Sequence, residues 1–154
     1  MNAMTFPFAK DLAHEPPCSP RMRMGGYVIL ARTIDVCRAD LSETAGDYRF
    51  NCPLDRMLFV FKEVRADDFR ARVAAGWTDV EMLEWMKSTG VRRSAAEVHG
   101  WSDRVENDRP YGDPVRRQWF KGECERLGLS PLSTTLFDYL DAEDAATFGS
   151  LARA

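Results

Sequence analysis

Residues 25–41 read Gly25-Gly26-Tyr27-Val28-Ile29-Leu30-Ala31-Arg32-Thr33-Ile34-Asp35-Val36-Cys37-Arg38-Ala39-Asp40-Leu41. Leu30, Ile34, Cys37 and Leu41 are spaced by four, three and four, which stacks them on one face of a helix. Arg32, Asp35 and Arg38 recur every three residues and line another face, where an i,i+3 ion-pair ladder is expected. The spacing predicts a long helix over 27–41, with the glycine pair as the break before it.

The flanking sequence carries the same helical grammar. Upstream, Ser19-Pro20 predicts a short helix ending at Met24, because Ser is a good N-cap and Pro at the first helical position loses no hydrogen bond. Residues 1–18 are interrupted by Pro7, Pro16 and Pro17 and read as an irregular arm that buries Phe6, Phe8 and Leu12. Downstream, 45–52 is a loop, and Asn51-Cys52-Pro53 opens a helix with Cys52 as N-cap and Leu54, Met57, Leu58 and Phe61 as its buried stripe. A short strand over 58–61 competes, since four adjacent apolar residues carry no period.

Thr78-x-x-Glu81 and Ser94-x-x-Glu97 are capping boxes, opening helices that carry Val80, Leu83 and Met86, then Val98, Trp101 and Val105. Another helix runs over 66–75. Asp113-Pro114 starts one with Trp119, Phe120, Cys124 and Leu127 facing inward, and 136–140 and 142–151 are two short final pieces. β-branched alternation is nearly absent. The expectation is an all-α, compact bundle of about six helices, with residues 19–154 as one domain behind the arm.

The chain has 154 residues, 45% hydrophobic and 29% charged, with nine Phe and four Trp. That is ample material for a core, so neither metal nor disulfides are needed to hold it together. The net charge is −3 and the isoelectric point about 5.4. The arginine pairs at 92–93 and 116–117 sit among acids, so nucleic acid is not an expected partner. No stretch approaches the roughly 20 apolar residues that span a bilayer, so no membrane role is expected. The first residues lack a basic segment followed by an apolar run, and a cytoplasmic location is the expectation. There Cys18, Cys37, Cys52 and Cys124 would remain thiols. No two form a C-x-x-C pair, which argues against a zinc site.

Chemistry concentrates in Gly46-Asp47-Tyr48-Arg49-Phe50-Asn51-Cys52-Pro53-Leu54-Asp55. A thiol heading a helix meets unpaired N–H groups and the positive end of the dipole, so a depressed Cys52 pKa is expected, helped by Arg49. The competing reading is a small buried hydrophobe. His14 and His99 are the only histidines, and nothing in their spacing brings either to Cys52. Asp138, Asp141 and Asp144 recur every three residues and could face a hard cation, against the plainer reading that Asp141 caps a short helix and the others face water. Nucleotide-binding and hydrolase fingerprints are missing.

A family resemblance rests on Asp11-Leu12, Ser19-Pro20-Arg21, the 25–35 segment, Tyr48-x-Phe50-Asn51-Cys52-Pro53-Leu54-Asp55 and Thr135-Leu136-Phe137-Asp138-Tyr139-Leu140-Asp141. Together these resemble the bacterial family known as domain of unknown function 5069, over about residues 11–148. The resemblance implies a small, free-standing cytosolic protein and carries no reaction. Its segments contain the polar residues already singled out by their chemistry.

Two functional expectations follow. One is a small-molecule-binding protein or cofactor-independent enzyme with a polar pocket around Cys52. Cys52, Asp55 and Asp35 would be the catalytic candidates and Arg32, Tyr48 and Asn51 the ligand contacts. The other is an interaction module, such as a homodimer, using an aromatic patch at Trp77, Trp85, Trp101 and Phe148.

Overall fold

Ten consecutive residues of α1 (Leu30–Leu41), from Leu30 to Ala39, are buried. A helix covered on every side is normally apolar throughout. This one carries Arg32, Thr33, Asp35 and Arg38, so each must find a partner on another element. A computed structural model describes residues 8–152 of the chain. Around α1 it places α2 (Pro53–Lys62), α3 (Ala66–Ala74), α4 (Asp79–Ser88), α5 (Ala95–Glu106), a 3-10 turn (Pro110–Gly112), α6 (Arg117–Leu127) and α7 (Leu136–Ala152). Among the described residues no strand occurs, only one isolated bridge between Met24 and Tyr27. The all-α expectation holds, with seven α-helices among the described residues where about six were expected.

That bridge explains why α1 starts at Leu30 and not at residue 27. Met24 and Tyr27 exchange both backbone hydrogen bonds at 3.0 Å. Gly25 and Gly26, at φ +57° and +87°, supply the two positive-φ positions that such a two-residue turn demands. A Cβ on Gly25 would also lie 2.5 Å from Leu83 Cδ1. Residues 19–24 form no helix. Ser19 spends its hydroxyl on Asp141 at 2.7 Å, and the Pro20 carbonyl accepts from Ile29 N at 2.8 Å. Long-range bonds have taken the groups a helix would have used.

α2 begins where Asn51-Cys52-Pro53 placed it, with Cys52 in the N-cap position and Pro53 first. Its buried face is Asp55, Leu58, Phe59 and Lys62, rotated from the expected stripe, and Leu54, Met57 and Phe61 are half-buried. Both capping boxes form, at Thr78 and Ser94. α4 buries Met82 and Met86 and leaves Val80 exposed. α6 begins at Arg117, three residues later than Pro114, because Asp113 caps a turn there through Val115 N at 2.9 Å. Trp119, expected inside, is 49% exposed. The two final pieces are one continuous helix, α7, in which Asp141 is an interior residue and caps nothing. Thr135 and Asp138 satisfy its start reciprocally, at 3.1 and 3.3 Å.

The main core gathers Ile34, Leu58, Phe69, Met82, Met86, Trp101 and Phe137 from six helices. Phe120, Cys124 and Tyr139 form a second cluster between α6 and α7. The irregular arm is pinned by Leu12, buried against Val36 and Ala39, with Leu12 N donating to Thr44 O at 2.8 Å. Phe8 is exposed, not buried, with Arg38 over its ring. Phe6 lies outside the described residues.

Candidate functional site

The polar residues of α1 do not form a ladder with one another. Each leaves α1 for a different element. Arg32 forks onto Asp144 of α7, with Nη1–Oδ2 at 2.8 Å and Nη2–Oδ1 at 3.3 Å, and Nη1 also reaches Cys18 O at 3.1 Å. Asp35 accepts from Cys18 N at 2.8 Å and pairs with Lys10 at 3.0 Å, holding the arm down. Arg38 pairs with Asp79 at 2.7 Å and donates to Trp77 O at 3.1 Å, fixing the start of α4.

Tyr48 joins the first of these groups. Its hydroxyl donates to Asp144 Oδ1 at 2.5 Å, Arg32 lies over its ring, and the ring is parallel to Phe148 at 6.5 Å. Burial and the Asp144 carboxylate push the Tyr48 phenol up. Arg32 and Tyr48 therefore do come together, but both are spent on Asp144.

Asn51, Cys52 and Asp55 form the second group. Asp55 is the third residue of α2 and reaches back to accept from Asn51 N at 2.9 Å, while its other oxygen accepts from Thr33 Oγ1 at 2.7 Å. Asn51 sits at φ +61°, a conformation Asn tolerates better than most residues. Burial raises the Asp55 pKa against the opposing hydrogen bonds from Thr33, Asn51 and Cys52. This carboxylate is a structural rivet between α1 and the start of α2.

The expected depression of the Cys52 pKa is not found. Burial raises it first, and the Asp55 charge second. The backbone N–H groups of Leu54 and Asp55 do favour the thiolate, as a helix start should, but they are outweighed. Cys52 is a neutral thiol, half-buried.

What Cys52 faces is apolar, not polar. It lines a groove of about 480 Å³ between α2, α6 and α7, with Leu54, Met57, Trp119, Leu136, Tyr139 and Leu140. The charged rim residues already have partners. Arg116 pairs with Asp108 and Asp113, each at 2.8 Å, and Glu143 with Arg126 at 3.1 Å. Trp119 stands edge-on to Tyr139, centroids 5.6 Å apart. Two other depressions share Gly46, Asp47 and Tyr48 in their walls, and neither is lined by Cys52.

The acidic stripe of α7 is likewise occupied. Asp138 and Asp141 take Arg21 at 2.7 and 3.0 Å, and Asp144 takes Arg32. Neither reading of the stripe from sequence anticipated cations more than 100 residues away in the chain. Among the described residues, no three His, Cys, Asp or Glu side chains converge as a metal ion requires. The structure sets Asp144 and Thr33 against the polar candidates and Trp119 and Met57 beside Cys52, groupings that the sequence reading did not make. Only the i,i+3 spacing of the aspartates carried a signal for any of them.

Fold and site together define a small helical protein in which a saturated polar network backs an apolar groove. A family model for a domain of unknown function, DUF5069, matches residues 14–146, and the chain belongs to that family. No curated protein matches it. No helix among the described residues is long and apolar enough to cross a membrane.

Proposed function

We propose that this protein binds a small, largely apolar molecule in the groove between α2, α6 and α7, with Cys52 as a contact and not as a nucleophile. The observation that carries the reading is the lining. The groove falls within the usual range for small-molecule sites, roughly 300–1,000 Å³. Its walls are aliphatic and aromatic, and a half-exposed tryptophan stands beside them. A large aromatic left in water has the most to gain from a ligand. Arg32, Asp35, Tyr48, Asn51 and Asp55 act as positioning residues that hold the Cys52 wall in place. A neutral thiol and a buried, fully bonded carboxylate argue against thiol catalysis.

Titration with anilinonaphthalene sulfonate, an anionic dye whose aromatic rings fluoresce when they enter an apolar site, tests it. One saturable site is expected, weakened about tenfold or more by Met57→Glu, because the groove would then have to hold an unpaired charge. Dye binding that ignores Met57→Glu contradicts the reading. Sedimentation separates the competing occupant: a dimer that the dye dissociates would make a second copy of the chain the natural filling.

A further inference from the structure

We infer that the ligand of the Cys52 groove is a primary alkylamine, its chain in the groove and its ammonium in a second depression that continues the groove along α7. This rests on the groove being the apolar site proposed above, and adds the charge and direction of what fills it. Leu136, Tyr139, Leu140 and Glu143 line the groove, and Glu143, Thr147 and Phe148 line a neighbouring depression of about 410 Å³. Residues 136, 140, 143 and 147 share one helical face, so the two hollows follow one another along α7 and meet at Glu143. From Leu136 to Thr147 that stripe is roughly 16 Å long, which suits an elongated molecule.

The two ends differ in charge. Arg116 lines the groove at its Leu136 end: Leu136 N donates to Asp108 O at 2.9 Å, and the Asp108 carboxylate takes Arg116 with two bonds at 2.8 Å. Asp113 pairs with the same guanidinium, so this end offers a ligand no unanswered positive charge. The other end is anionic. Asp47 and Glu143 both line the second depression, and no side chain lining it is cationic. Asp47 is exposed and has no hydrogen bond or ion pair among the described residues. Glu143 shares Arg126 with Glu123, at 3.1 and 2.7 Å, so one exposed guanidinium serves two carboxylates. The Tyr48 hydroxyl is spent on Asp144, which leaves the carboxylates as the partners of a head group. A primary ammonium brings three donors to them, and its alkyl chain buries against Leu54, Met57 and Leu140.

Calorimetric titration of the full chain at low ionic strength tests this with decylammonium, decanol and decanoate, each kept below the concentration at which it forms micelles. Decylammonium is expected to bind at least about threefold tighter than decanol, and decanoate the most weakly. Asp47→Asn, at an exposed and unpaired position, should remove most of the decylammonium advantage and leave decanol binding and the melting temperature unchanged. Glu84→Gln removes the same charge from an exposed site on α4 outside both hollows, and should leave all three affinities unchanged. Decylammonium binding no tighter than decanol or decanoate would overturn the inference and leave the groove reading standing. So would equal weakening of decylammonium by Asp47→Asn and Glu84→Gln, which would trace the preference to net charge alone. No binding of any of the three would overturn both.

Discussion

Arg32 and Asp144 are 112 residues apart in the chain and form a buried, two-bond ion pair that ties α1 to α7. Their side chains are 6% and 11% exposed. Removing one partner strands the other charge in a site that water hardly reaches. Asp144→Ala is therefore expected to destabilise the fold by about 3–5 kcal/mol in denaturant unfolding. The double change Arg32→Met with Asp144→Leu should cost markedly less than the single change, since no charge is left unpaired.

The Thr33 hydroxyl donates to a carboxylate whose pKa burial has raised. The folded chain keeps the Asp55 proton to higher pH than the unfolded chain does. Asp55 therefore contributes stability at acid pH and loses it as pH rises through its folded value. Thr33→Val should cost about 1–3 kcal/mol near neutrality, where the acceptor is ionised. The cost should shrink as acid protonates Asp55, which unfolding curves measured across the acid range will report.

Lys62 is fully buried on the inner face of α2. Its ammonium donates to Val91 O at 2.6 Å, and no carboxylate among the described residues pairs with it. Burial, then Arg93 and Arg92, lower its pKa. Between its folded and ordinary values the unfolded chain binds more protons, so this group makes stability rise with pH there. Lys62→Met should remove that rise and leave the protein no less stable at neutral pH. A difference between the two alkaline stability profiles isolates the effect from the thiols and phenols that titrate nearby.

Thiol reactivity separates the four cysteines. Cys37 is fully buried and its thiol is pushed up to about 12. In the folded protein Cys37 and Cys124 should resist alkylation. Cys52 should react with a rate that climbs only at alkaline pH, above an ordinary thiol. Peptide mapping after timed labelling gives all four rates in one experiment.

The features legible in the sequence were those with local causes. Thr78 with Glu81, Ser94 with Glu97, and Cys52 with Pro53 mark helix starts through bonds or constraints spanning three residues or fewer, and each marks a real start. The failures have remote causes. Ser19-Pro20 has the grammar of a helix start, but Asp141 and Ile29 claim its groups. The buried face of α2 is turned toward Asp55 and Lys62 because Thr33 and Val91 lie where they can be satisfied. The candidate site divides the same way. Its polar residues were recognisable as a cluster, but their mutual saturation through Asp144 and Thr33, and the apolar groove that Cys52 faces instead, depend on contacts across the whole fold.

The central claim is that Cys52 opens onto an apolar, ligand-sized groove. Its most direct test is the alkylation rate of Cys52 by phenylmaleimide against a charged thiol reagent of similar size, with and without saturating anilinonaphthalene sulfonate. The account predicts faster reaction with the apolar reagent and protection of Cys52, but not of Cys18, by the bound dye. Equal rates with both reagents, and no protection, would contradict it.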